Sequence, residues 1–77
     1  MVMSKRLYDA FCSNVRERMD ELDITQSELA ENLKVTPSFV SQLLNGHVRP
    51  GLETLDNFAK ALKCEAADLI RILSRSA

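Results

Sequence analysis

Two helix-start signals stand close together near the middle of this 77-residue chain, and they restrict its fold more than any other feature. Thr25-Gln26-Ser27-Glu28 reads as a capping box. In such a box the Thr hydroxyl accepts from the amide of Glu28, and the Glu carboxylate accepts from the amide of Thr25. Thr36-Pro37 follows, an N-cap residue before a proline at the favoured first helical position. The first helix must therefore end, and the chain must turn, before residue 36. Ile24 and Leu29 stand at hydrophobic-staple spacing around the first cap, and Val35 and Val40 around the second. Asn45-Gly46 supplies a stop for the second helix. Each helix thus has about two turns, and each needs a larger framework to bury its apolar face.

The flanking segments supply that framework. Leu7, Phe11, Val15, Met19 and Leu22 recur at steps of three and four, which predicts a helix over about 5–22. Asp23 is its expected stop, because Asp tolerates a left-handed backbone better than most side chains. After a loop from His47 to Pro50, Gly51 or a neighbour caps a fourth helix with Leu52, Leu55, Phe58, Ala59 and Leu62 inward. Lys63-Cys64 interrupt it. A last helix over about 66–74 carries Leu69, Ile70, Ile72 and Leu73, and Glu65 is a poor cap for it, so that end is expected to fray unless it is packed. No segment alternates with the period of a strand. The expectation is a compact all-α fold of five helices with a central helix-turn-helix, spanning 1–77 as one domain.

Charge is distributed unevenly. The net charge is −1. Residues 20–31 hold five acids and no base, whereas residues 32–52 contain Lys34, His47 and Arg49 with no acid at all. The near-zero mean therefore does not exclude a polyanionic partner for that window. The acid-free window contains the third helix. With Pro37 set at 0° and about 100° per residue, Val40, Leu43 and Leu44 gather near 300°, 240° and 340°. Pro37, Ser38, Ser41, Gln42 and Asn45 fall between about 0° and 140°. That outward face reads either as an ordinary solvated surface or as a groove-entering surface. Gln and Asn side chains pair with adenine edges, and Ser serves as donor or acceptor. Phe39 lies at the rim of the inner face, where it either packs partly or touches a sugar or thymine methyl.

Several functions are not expected. His47 has no carboxylate and nucleophile beside it, so no catalytic set is predicted and the chain is not read as an enzyme. No Gly-rich phosphate loop is present. One His and two separated Cys give no metal-ligand spacing, and no cofactor or small-molecule ligand is expected. Cys12 and Cys64 read as small apolar packers in a reducing cytosol rather than as a disulfide. Neither a membrane span nor a signal peptide is expected, and the predicted location is cytoplasmic. Arg16 and Arg18 read as members of a solvated face, and His47 as a loop residue or a phosphate contact.

The stretch Thr25-Gln26-Ser27-Glu28-Leu29-Ala30, then Leu33-Lys34-Val35-Thr36, then Val40-Ser41-Gln42-Leu43-Leu44-Asn45-Gly46, then Pro50, Leu55 and Ala59-Lys60-Ala61-Leu62, resembles the Cro/repressor-type (XRE-like) helix-turn-helix family. The likeness covers about residues 11–73. It implies a five-helix DNA-binding domain, acting as a homodimeric transcriptional repressor on a palindromic operator in double-stranded DNA. By position, Pro37, Ser38, Ser41 and Gln42 would face bases. Gln26, Thr36, Asn45 and Arg49 would face the DNA backbone. Ile70, Ile72 and Leu73 are the expected dimer surface. The alternative is an antitoxin or other protein-interaction module of the same fold, whose main partner is a protein. The chain departs from the family pattern at Asp23 and Lys34, where glycine is frequent. A left-handed Lys34 would cost on the order of 1 kcal/mol. It departs also at Met19 and Leu44, where many members pair an Arg with a Glu. Met19 and Leu44 are expected to touch and to be mostly buried.

Overall fold

The computed structural model describes residues 5–71. Among them are five helices: α1 (Lys5–Leu22), α2 (Gln26–Leu33), α3 (Pro37–Leu44), α4 (Leu52–Ala61) and α5 (Ala66–Leu69). The described residues form no strand, and no helix among them is long and apolar enough to cross a membrane.

Local chemistry sets the boundaries. The capping box forms as expected: the Glu28 amide donates to Thr25 Oγ1 at 3.1 Å, and the Thr25 amide donates to Glu28 Oε1 at 2.8 Å. The amide of Phe39 donates to Thr36 Oγ1 at 3.1 Å and so fixes the start of α3. Three connections are made by non-glycine residues with positive φ: Asp23 at 56°, Lys34 at 61° and Lys63 at 57°. The turn at Lys34 returns both its own amide and that of Val35 to the carbonyl of Ala30. With the further bond from the Lys34 amide to Glu31 O at 3.1 Å, they satisfy carbonyls that the end of α2 would otherwise leave open. Gly46, at φ 90°, makes the sharper turn after α3.

Phe11, Val15 and Met19 of α1 pack with Leu29 and Ala30 of α2, Val40, Leu43 and Leu44 of α3, Leu55, Phe58 and Ala59 of α4, and Leu62 and Leu69 beyond. Phe11 and Phe58 meet edge to face with ring centroids 5.4 Å apart. Met19 and Leu44, expected to be mostly buried, both lie in this one core. Cys12, Phe39 and Cys64 are half-buried against it, and both cysteines are free thiols.

Two expectations fail. Leu52 does not face inward; it is 84% exposed. It lies one residue past the Gly51 cap, roughly 70° off the stripe centred on Leu55, Phe58, Ala59 and Leu62. The last helix also does not run on from Leu69: Ile70 has left the helix, and its amide bonds to Ala67 O at 3.3 Å. The Nδ2 of Asn14 donates to the carbonyls of Leu69 and Arg71, both at 2.9 Å. Those carbonyls therefore find their donor on α1. Residues 72–74 of the expected helix lie outside the described residues. At the start of α5, Asp68 Oδ2 accepts from the Glu65 amide at 3.1 Å, so the end is tied by Asp68 as well as by Leu69.

Candidate nucleic-acid interface

The burial of α3 follows its apolar pattern. Val40 and Leu43 are fully buried and Leu44 nearly so. Thr36, Pro37, Ser38, Gln42 and Asn45 are exposed, and Ser41 is half-buried beside them. The expected base-facing residues Pro37, Ser38, Ser41 and Gln42 therefore share one uncharged outer face. Of the expected backbone-facing residues, Thr36 and Asn45 stand at the two ends of α3, Gln26 is half-buried at the start of α2, and Arg49 is exposed in the following loop. The Arg49 guanidinium carbon lies 5.2 Å from the centroid of the Tyr8 ring, a distance suited to a cation–π contact. His47 is an exposed loop residue whose amide bonds to Gln42 O at 2.9 Å.

The C-terminal end of α3 is held by side chains from α1. Tyr8, Cys12 and Arg16 recur every four residues and so lie along one line of that helix. The Tyr8 hydroxyl donates to the Leu43 carbonyl. Cys12 Sγ approaches the same oxygen at 3.5 Å. Arg16 Nη2 donates to Leu44 O at 3.2 Å and to Asn45 Oδ1 at 3.4 Å. A cation here also suits the negative end of the helix dipole. Burial pushes the Tyr8 phenol up to about 12, with the Cys12 hydrogen bond a smaller cause in the same direction. Burial likewise raises the Cys12 and Cys64 thiols. Neither has the depressed value of a reactive thiol.

A second line on α1 does the same for the other side. Asn14 holds the end of α5, and Arg18 donates from Nε to Leu62 O at 2.9 Å and from Nη2 to Lys63 O at 3.0 Å. Arg16 is exposed, as expected of a solvated face, and Arg18 is half-buried; both also close helix ends, which was not expected. They were missed because their acceptors are backbone carbonyls distant in sequence. The period-four spacing of Tyr8, Cys12 and Arg16 was the one available signal.

A helix-turn-helix family model matches residues 15–69. No curated protein matches. Among solved structures, the chain is similar to the clp gene regulator ClgR from Corynebacterium glutamicum, at 30% identity and TM-score 0.75 over 82% of each chain. It is similar to the DNA-binding domain of the P22 C2 repressor, at 28% identity and TM-score 0.73 over 87% of this chain and 90% of that one. The restriction-modification controller protein C.AhdI from Aeromonas hydrophila shares the fold, at 24% identity and TM-score 0.74 over 80% of this chain and 94% of that one. The paired capped helices, the five-helix frame around them and these likenesses agree: the chain belongs to the Cro/C1-type (XRE-like) helix-turn-helix family of DNA-binding regulators.

Proposed function

We propose that this chain is a sequence-specific regulator of transcription that binds a palindromic operator as a homodimer and represses. The observation that carries the reading is the outer face of α3, where Ser38, Ser41, Gln42 and Asn45 stand without an acid over a buried apolar face. A helix of this size fits the major groove, where all four base pairs are distinguishable. Gln42 and Ser38 are exposed enough to reach base edges. Thr36, Asn45, Gln26 and Arg49 surround that face and are the proposed contacts to phosphate. No catalytic role is proposed.

Dimerisation is needed to place two recognition helices about 34 Å apart on successive turns of the groove. Ile70 is half-buried against the core and contributes only its remaining surface. Ile72 and Leu73, the rest of the proposed dimer surface, lie outside the described residues. Few cations border the groove face, so the salt dependence should be shallow, with about two to four ions released per protomer. Selection of bound DNA from a random pool tests the reading. The expected result is an inverted repeat with half-sites one helical turn apart. Recovery of no shared sequence would refute it. Sedimentation showing only monomer, with the selected DNA and without it, would refute the dimer.

A further inference from the structure

We infer that Arg16, on a helix that does not enter the groove, sets the hydrogen-bonding polarity with which Ser41 reads a base. The inference rests on the DNA-binding reading above.

The argument begins with donor and acceptor chemistry. A guanidinium only donates. The group of Asn45 that faces Arg16 Nη2, at 3.4 Å, must therefore be its carbonyl oxygen. Nη2 carries two hydrogens, and the Leu44 carbonyl, at 3.2 Å, takes the other. With its oxygen turned to Arg16, Asn45 must turn its amide nitrogen the opposite way. That nitrogen donates to Ser41 Oγ at 3.2 Å. Ser41 therefore accepts. An oxygen that accepts a hydrogen bond becomes a better donor and a poorer acceptor, because each bond polarises the next. Ser41 thus offers its own hydrogen to the groove in preference to its remaining lone pair.

The relay is built into the fold. Leu44 O is fixed at the end of α3, and Arg16 is one step along the line of Tyr8 and Cys12, which bind the preceding carbonyl. The second amide hydrogen of Asn45 remains for a phosphate. Ser41 is half-buried and held from one side, unlike exposed Ser38 on the same face. A serine alone accepts donor or acceptor edges; a serine held this way favours acceptors. The major-groove acceptors are guanine N7 and O6, adenine N7 and thymine O4, whereas cytosine presents only a donor. Arg16 is accordingly a positioning residue, with Asn45 as the intermediate and Ser41 as the contact.

The test uses the selected operator and a panel of its single-base-pair variants, measured by gel shift with the full chain. The wild type is expected to prefer guanine over cytosine at one position per half-site by about five- to tenfold, the effect of one hydrogen bond. Ser41→Ala and Arg16→Met should bring that ratio near one at that position and leave the other ratios unchanged. Arg16→Lys, which still donates, should restore it. Asn45→Asp should abolish or reverse it, because a carboxylate has no hydrogen to give and Ser41 must then donate to it. In the free protein, Arg16→Met and Ser41→Ala should each shift the Asn45 side-chain amide signals in nitrogen–proton NMR spectra. If Arg16→Met weakens all sequences equally, or keeps the preference that Ser41→Ala removes, the relay is overturned while DNA binding stands. If the wild type selects no sequence, both fall.

Discussion

Arg18 Nε donates to the carbonyl of Leu62 at 2.9 Å, so a residue of the first helix closes the end of the fourth. Its Nη2 holds the next carbonyl, that of Lys63, at 3.0 Å. Replacing Arg18 with Met keeps the stem and removes both donors, and should destabilise the fold by about 1–3 kcal/mol. The Arg18–Glu21 ion pair at 3.1 Å is a separate matter, because the Glu21 side chain is 57% exposed. Glu21→Gln should therefore cost less than about 0.5 kcal/mol. Urea unfolding of the two variants separates these contributions; equal losses would contradict the assignment.

Tyr8 gives the fold an alkaline limit. Its phenol is pushed up to about 12 in the folded chain, from an ordinary value of 10. The folded state then keeps a proton that the unfolded state loses, so this contribution is complete below pH 10 and is lost as pH rises towards 12. Tyr8→Phe should be less stable than wild type by about 1 kcal/mol near neutrality, for loss of the bond to Leu43 O. Above pH 10 the gap should narrow. Thermal melts across that range check the sign.

Lys34 occupies the left-handed region at φ 61°. Lys34→Gly removes the steric cost of its Cβ and should stabilise the chain by about 0.5–1 kcal/mol. Lys34→Val should destabilise it, because a β-branched side chain is worse in that region. Chemical denaturation midpoints decide both.

Gln42 and Arg49 should differ in the kind of loss they produce. Gln42→Ala should cost roughly 1–3 kcal/mol on the preferred sequence and relax one base position. Arg49→Ala should weaken all sequences alike and lower the salt slope by about one ion. Gel shifts at several salt concentrations distinguish the two. A uniform loss for Gln42→Ala would remove it from base readout.

The boundaries of α1 to α4 were legible because each is decided within a few residues. Thr25 with Glu28, and Thr36 with Phe39, are pairs three apart, so the signal for each helix start lies within one turn of the chain. The apolar periods likewise named the inner face of α3, and with it the outer face offered to the groove, and most of the inner face of α1, where Tyr8 rather than Leu7 is buried. Leu52 was misread because period alone does not say where a neighbouring element ends. The short α5 was misread because its last carbonyls are taken by Asn14, which is 55 residues from Leu69.

The sequence by itself determined where the central helices start and turn, which of their faces are apolar, and that the acid-free window coincides with α3. Tertiary structure alone decided what Arg16 and Arg18 do. Their partners are the open carbonyls at helix ends, 28 residues away for Leu44 and 44 for Leu62. A backbone carbonyl has no letter in the sequence; it becomes a site for a cation only when the fold leaves it unpaired beside one.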